Sequence, residues 1–326
     1  MTPLSIIVLS AGNTVPLPIL FEGRLSIPAI AAPMFIISHP QLVLAECRAG
    51  VVGAFPSLNA RPSGVLEQWL IGLQRDLTDK DAPFGVNLIV HKSNDRLEED
   101  LALCVKYQVP IIITSLGARS DVNEAVHRYG GIVFHDVTDN TFARKAIAKG
   151  ADGLIAVAAG AGGHAGTLSP FALVQEIRSW FDGPLALSGA IATGNAIVAA
   201  RAIGADLAYI GSAFIATDEA NADPRYKQMV TQCTASDIVY SNLFTGVHGN
   251  YLKPSIVAAG LDPETLASSD PSKMDFAAFT QGKKAWSDIW GCGQGIGAIG
   301  AIVPVADLVQ RLLREYRSTL ARLASS

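Results

Sequence analysis

The sequence predicts an α/β protein, a (β/α)8 barrel with a helical insertion after its eighth strand, and three observations carry that prediction. Eight β-rich segments start about 20 to 33 residues apart, a spacing that fits one strand, one helix and two short loops per unit. The segments are continuous apolar runs rather than alternating ones, as strands buried on both faces require. A glycine followed by a strand recurs at Gly50, Gly130, Gly150 and Gly204, which is the same helix-ending signal repeated. An open doubly wound sheet is the alternative arrangement of such units.

Taken in order, the predicted strands are Pro28–Ala32, Val51–Phe55, Phe84–Ile89, Pro110–Ser115, Ile132–Val137, Gly153–Val157, Pro184–Ser188 and Asp206–Gly211. The helices between them carry start and stop signals. Ser38-His39-Pro40 supplies a cap and a first-turn proline for a helix that Ala49-Gly50 ends, and Asp121 precedes a helix over Val122–Tyr129 that Gly130-Gly131 ends. Asn140 is the expected cap of Thr141–Lys149, and Thr193-Gly194 opens Asn195–Ile203. From Asp218 to Gly291 the βα rhythm stops, so residues 1–217 and 292–326 are assigned to the barrel and 218–291 to an inserted subdomain. Loops after barrel strands emerge at the face where barrel sites lie, so this insertion is expected to act as a lid. Val305, Leu308, Val309, Leu312, Leu313, Tyr316, Leu320 and Leu323 recur at helical spacing and predict the last outer helix.

Composition narrows the partners. The 326 residues are 49% hydrophobic and 17% charged, with a net charge of −4, enough to bury a large core and with no basic field for nucleic acid. No apolar run reaches the roughly 18 residues a membrane helix needs, and Leu4–Leu9 has no basic residues before it. Cys47, Cys104, Cys233 and Cys292 form no CxxC pair, so reduced thiols in a cytoplasm are expected rather than disulfides or a metal site.

The chemistry concentrates in Ala158-Ala159-Gly160-Ala161-Gly162-Gly163-His164-Ala165-Gly166-Thr167, which follows the sixth strand. Its glycines let a flat ligand approach the backbone, and His164 is its one ionisable group. A tight strand-to-helix connection with a merely solvated histidine is the bland alternative. At the same predicted face lie Ala32-Pro33-Met34, Asn87, the turn Ser188-Gly189-Ala190 and the turn Ile210-Gly211-Ser212. The last two place small residues and backbone N–H groups where barrels bind phosphate. His135-Asp136 fits either a core pair or a site-facing one. Gly295-Ile296-Gly297-Ala298-Ile299-Gly300 matches GxGxxG but lacks a preceding strand and a following half-domain, so it is not read as a dinucleotide fingerprint. Gln294, Tyr240, Phe244, His248 and Tyr251 are the candidate substrate-facing residues of the insertion.

Together, Ala32-Pro33-Met34, Asn87, Gly162-Gly163-His164-Ala165-Gly166, Leu187-Ser188-Gly189-Ala190-Ile191, Gly211-Ser212 and Gly291-Cys292-Gly293-Gln294-Gly295 resemble the nitronate monooxygenase (2-nitropropane dioxygenase) family of FMN-dependent TIM-barrel enzymes. The resemblance implies an oxidoreductase that oxidises alkyl nitronates, and nitroalkanes in some members, with O2 to a carbonyl compound and nitrite. The same superfamily contains NAD(P)H:quinone and enoyl-thioester reductases, and a flavin-binding protein without turnover is a third reading. Carried over by position, Ala32, Pro33, Met34, Asn87, Gly162 and Gly163 would contact the flavin. Gly189, Ile210, Gly211 and Ser212 would surround its phosphate, and His164 would be the catalytic base or a substrate-orienting group. An imidazole that both takes a proton and, protonated, stabilises the nitronate anion is expected to have a pKa near working pH. No metal is implied, and a homodimer is left open. Many relatives have a lysine where this chain has Asp136, so no FMN contact is carried over there.

Overall fold

The computed structural model describes residues 17–62, 64–266 and 288–325. The run Leu4–Leu9 and residues 267–287 of the insertion lie outside them. Barrel strands β1 (Ala29–Ala31), β2 (Gly53–Pro56), β3 (Phe84–Ile89), β4 (Ile111–Ser115), β5 (Ile132–Val137), β6 (Gly153–Val157), β8 (Leu185–Ser188) and β9 (Leu207–Ile210) pair in parallel in the order β1-β9-β8-β6-β5-β4-β3-β2. The short β7 (Gly163–His164) stands outside this sheet. A parallel bridge between Ile30 and Val52 joins β1 to β2, with Ala31 N donating to Val52 O at 2.7 Å and Val52 N to Ala29 O at 3.1 Å. The sheet therefore closes on itself, which the doubly wound alternative would not do.

Outside the ring run α1 (Pro40–Ala49), α2 (Val65–Asp76), α3 (Leu97–Lys106), α4 (Ser120–His127), α5 (Asn140–Ala148), α6 (Pro170–Arg178) and α7 (Gly194–Ala202). After β9 come a one-turn helix α8 (Ser212–Ile215), then α9 (Pro224–Gln232) and α10 (Lys253–Ala258) of the insertion, and finally α11 (Val305–Ala324). Three caps differ from expectation. Asp139, not Asn140, caps α5, its carboxylate accepting from the N–H groups of Thr141 and Phe142. Helix α4 begins at Ser120, so Asp121 sits in its first turn. Ser38 does not cap α1; its hydroxyl accepts from Met34 N at 2.9 Å and so fixes the loop after β1.

The C-terminal helix α11 buries Leu308, Val309, Leu312 and Tyr316 and packs against both α1 and α7. Contact with α7 is close because Gly194 has no side chain: a Cβ there would fall 2.2 Å from Leu312 O. Within the ring, Ile30, Ala54, Ile113, Phe134, Ile155, Ala186 and Leu207 form a buried interior cluster. Phe21, from the preceding 3-10 turn, joins it by an edge contact to Phe134 (centroids 6.4 Å apart). The helix layer is buried separately against the outward-facing residues of the strands, such as Val86, Leu88, Ile112 and Val133.

The insertion is not wholly helical as expected. Strands β10 (Ile238–Ser241) and β11 (Gly249–Leu252) form an antiparallel hairpin, and β11 pairs in turn with β7, Gly249 opposite His164 and Asn250 opposite Gly163. The β-branched and aromatic run Ile238-Val239-Tyr240 suits a strand. A three-stranded sheet thus joins the insertion to the glycine-rich loop.

Candidate active site

Side chains alternate along each barrel strand, and an inward position at or just beyond the C-terminal end of every strand points into one space. These eight residues, Ala32, Pro56, Asn87, Ser115, Asp136, Val157, Ser188 and Tyr209, all line a cavity of about 630 Å³. The volume falls in the range of sites for small molecules and cofactors. Its walls are the loops after the strands, and the insertion contributes Tyr226, Thr245, Val247, Tyr251 and Trp290.

Most of the predicted residues meet here: Ala32, Pro33, Met34, Asn87, Gly162, Gly163, His164, Gly189, Gly211 and Ser212 all line the cavity, as does Tyr251. Others do not. Ile210 is buried at the end of β9. Gln294 lies behind the loop, its N–H donating to Gly160 O at 2.9 Å. Tyr240 and His248 stack on each other (5.0 Å), and the Tyr240 hydroxyl donates to Ala165 O, so both brace the loop from the side away from the cavity lining. Phe244 packs edge-on against Tyr251 in a small core of the insertion. The GxGxxG stretch is largely a 3-10 turn (Gln294–Ala298) with no strand pairing into a βαβ unit, and only Gly295 of it lines the cavity.

The glycine-rich loop is held on several sides. Gly160 O accepts from Ala190 N (3.2 Å) as well as from Gln294 N, and the buried Asn250 amide donates to Ala161 O at 2.7 Å. At Gly162 a Cβ would fall 2.7 Å from Gly293 N and 2.9 Å from Cys292 C, so only glycine lets these backbones touch. Gly163 has φ +65°, and a Cβ there would meet no atom within 4 Å, so this face of the loop is open. Ser212 Oγ accepts from Gly293 N at 2.9 Å, which leaves its own proton to donate.

His164 Nε2 lies 3.0 Å from Thr245 Oγ1. The Thr245 hydroxyl donates to Val247 O at 2.8 Å, a carbonyl that can only accept. Complementarity therefore puts the imidazole hydrogen on Nε2 and leaves Nδ1 with a lone pair. Burial lowers the His164 pKa to about 4. This corrects the expectation of a value near working pH: the loop carries no carboxylate to stabilise an imidazolium, so desolvation decides. At that value the ring is neutral at physiological pH.

A polar chain crosses the cavity floor. Asn87 Nδ2 donates to Ile113 O (3.0 Å) and to Ser115 Oγ (2.7 Å), and Ser115 Oγ donates to Asp136 Oδ2 (2.5 Å). Asp136 Oδ1 is buried without a hydrogen-bond partner among the described residues. Burial raises the Asp136 pKa to about 6, the Ser115 hydrogen bond opposing it. Burial and then the charge of Asp136 raise the phenol of Tyr209 well above its ordinary value. His135 also lines the cavity, its Nδ1 2.5 Å from Thr114 Oγ1 and its pKa lowered to about 4 by burial. Ser115, Tyr209 and Arg61 are lining residues that sequence reasoning missed. Among the described residues no cluster of three or more His, Cys, Asp or Glu is placed to hold a metal ion, and no helix is long and apolar enough to cross a membrane.

Comparison with known proteins agrees with this architecture. The family model described as nitronate monooxygenase matches residues 94–315. A nitronate monooxygenase from Paraburkholderia phytofirmans is 26% identical, over 91% of this chain and 94% of its own length. Among solved structures, FabK from Thermotoga maritima is similar with a TM-score of 0.79 and 24% identity, covering 94% of this chain and 97% of its own. A nitroalkane oxidase from Streptomyces ansochromogenes has a TM-score of 0.75 and 24% identity, covering 91% and 97%. The chain is an oxidoreductase, and it belongs to the nitronate monooxygenase family.

Proposed function

We propose that this protein is an FMN-dependent nitronate monooxygenase that converts alkyl nitronates, and nitroalkanes after loss of their α-proton, to a carbonyl compound and nitrite with O2. The observation that carries this reading is His164: a neutral imidazole whose Nδ1 has no hydrogen-bond partner among the described residues, set beside bare glycine backbone on an apolar cavity. A carbon acid needs a base that is unprotonated at working pH, and this half-buried imidazole supplies one.

FMN fits the residues present. The face of Gly163 is open, and Gly162 could carry no side chain, so a flat ring can lie against the loop. Gly189, Gly211 and Ser212 line the cavity together after β8 and β9, where a phosphate would find small residues and the Ser212 hydroxyl. Bound FMN would supply the electron acceptor for the nitronate and the route of those electrons to O2. Ala32, Pro33, Met34 and Asn87 would hold the ring system, with Asn87 fixed by its bonds to Ile113 and Ser115. His164 takes the α-proton of a nitroalkane at Nδ1, while Thr245 keeps the ring oriented through Nε2. The residual imidazolium then faces the anionic product. Residues 218–291 would serve as the lid, Tyr226, Thr245, Tyr251 and Trp290 excluding water from the reacting carbon.

The decisive experiment mixes the holoprotein anaerobically with propionate 3-nitronate and, separately, with NADH and NADPH, following flavin absorbance. Reduction by the nitronate alone is expected. Replacing His164→Asn should then impair nitroalkane turnover at least tenfold more than nitronate turnover, since only the former needs a base; general-base losses are typically about 10²–10⁴-fold. Rapid bleaching by NADH without response to nitronate would make the protein a nicotinamide-dependent reductase instead.

A further inference from the structure

The loop after β1 turns through Met34-Phe35-Ile36-Ile37, closed by Ile37 N donating to Met34 O at 3.2 Å. Ile36 takes the third position of this turn with φ +57°, a conformation that glycine or asparagine ordinarily supplies and that a β-branched residue adopts only under strain. The strain is held from two directions. Asn59, the last residue of the 3-10 turn after β2, accepts from Ile36 N at 2.8 Å, and its Nδ2 donates to Met34 O (3.0 Å) and Ser38 O (2.9 Å). Asn221, in the chain after α8, donates from Nδ2 to Ile36 O at 2.8 Å. Both backbone groups of Ile36 are therefore tied to side chains of distant segments, and the turn cannot relax without breaking those contacts. Strained residues fixed in this way cluster at ligand clamps.

What the turn presents is apolar. Ile36 is 44% exposed and Phe35 38%, and both line the cavity where it opens. Phe142, 53% exposed, lines it from the start of α5, after the strand that lies four places from β1 in the ring of eight, and so faces them across the opening. Large apolar side chains left in water around an opening gain by covering a ligand's own apolar surface. His164 follows β6, three places from β1 in the ring. At strand spacing that is on the order of 10 Å across the curved wall, so a chain reaching from one to the other has about six carbons or more.

We propose that Ile36 is a specificity-determining residue: its enforced left-handed backbone stands an apolar side chain at the cavity opening, where it binds an uncharged hydrocarbon chain that the substrate carries beyond the reacting carbon. Asn59 is the positioning residue that keeps it there. The inference rests on the flavin-oxidoreductase reading of this cavity and narrows its substrates by chain length, since one- and two-carbon substrates fall short of the turn. Glycine at position 36 would make the same turn without strain; isoleucine makes it with a side chain.

The test compares wild-type holoprotein with Ile36→Leu, Ile36→Ala, Ile36→Gly and Asn59→Ala, each checked for flavin content and FMN affinity. Equilibrium binding of hexanamide and acetamide is followed by flavin absorbance, and KM and kcat are measured for the nitronates of 1-nitrohexane and nitroethane. Wild type should bind hexanamide at least about tenfold more tightly than acetamide. Ile36→Ala and Ile36→Gly should raise the hexanamide Kd and the KM of the six-carbon nitronate about three- to tenfold, with less than about twofold change in kcat or for the two-carbon ligands. Ile36→Leu should keep the preference. Asn59→Ala, which leaves the isoleucine but frees its backbone, should lose as much as Ile36→Ala, an effect on chain length that a merely structural asparagine would not have. In thermal unfolding at saturating FMN, Ile36→Gly should melt above Ile36→Ala, the reverse of the usual order, because only alanine is strained at positive φ. The proposal is overturned if wild type does not prefer hexanamide, if Ile36→Ala keeps the full preference, if Ile36→Gly melts below Ile36→Ala, or if the loss falls on FMN affinity instead. Amide binding needs no turnover. A selective loss of hexanamide binding in Ile36→Ala, in a protein that no nitronate reduces, would sink the proposed reaction and leave the role of Ile36 standing.

Discussion

Replacing Asp136→Asn should make the flavin-free protein more stable, and by an amount that grows with pH. Asp136 has its pKa raised from 3.8 to about 6 because one carboxyl oxygen is buried without a partner among the described residues and the Ser115 hydroxyl only partly offsets the desolvation. A raised acid pKa means that the folded state binds the proton more tightly than the unfolded state. The stabilisation is therefore fully present below about pH 3.8 and is lost as pH rises through about 6. Two pKa units correspond to about 3 kcal/mol at 1.36 kcal/mol per unit, an upper bound for a group at a cavity wall. Roughly 2 kcal/mol of this falls between pH 4.5 and 7.5. With an unfolding entropy near 2.1 cal/mol/K per residue, the Tm advantage of Asp136→Asn over wild type should widen by about 3 °C across that interval. Asparagine keeps the shape and can still accept from Ser115, so packing differences should cancel between the two pH values. Parallel thermal and urea unfolding at pH 4.5 and 7.5 makes the comparison. An Asp136→Asn advantage that is the same at both values would refute the assignment of a buried, titrating carboxyl.

Three further outcomes follow from the geometry. Nitroalkane turnover should fall only as pH drops through about 4, where His164 becomes protonated, whereas a nitronate should feel no such limb; a pH–rate profile of both substrates, corrected for acid unfolding, checks this. Glu46, fully buried on α1 with both carboxylate oxygens unpartnered among the described residues and its pKa raised by burial and then by Glu219, should be a stabilising site for Glu46→Met. About 1–3 kcal/mol is expected in urea unfolding, more at pH 8 than at pH 5; equal or lower stability would count against it. Gly162→Ala should weaken FMN binding at least tenfold because its Cβ must displace the backbone of Gly293. Gly163→Ala meets no protein atom and should cost the apoprotein only about 1–2 kcal/mol of backbone strain, but its Cβ projects into the open face where the flavin would lie, so FMN binding should weaken there too; urea unfolding of the apoprotein beside fluorescence titration with FMN checks both.

The barrel was readable because its eight strands are apolar on both faces, and runs such as Ile111-Ile112-Ile113 and Gly153-Leu154-Ile155-Ala156-Val157 announce themselves. The same property hid part of the site. When both faces are buried, no alternation tells which residues point inward, so Ser115 and Tyr209 could not be distinguished from helix-facing neighbours such as Thr114 and Ala208. Residues just beyond the strands, Met34, Gly162, His164, Gly189 and Gly211, were found because a loop position at that end needs no such phase. The hairpin in the insertion escaped notice since its strands have four residues each and one of them pairs with a two-residue strand far back in the chain. At α5, adjacent Asp139 and Asn140 are equally good caps by type, and only the structure shows which one the helix uses.

The pairing of β7 with β11 also sets an order of events. His164 is laid beside Gly249, 85 residues later in the chain, so the loop cannot take its final shape when the strand that precedes it is made. During synthesis the parallel strands through β9 can associate while the ribosome is still producing the hairpin, and non-local pairings of this kind form late because their loop entropy must be met first. The nascent barrel would thus exist for a time with an unfinished glycine-rich loop, and His164 would be the last part of the cavity wall to be seated.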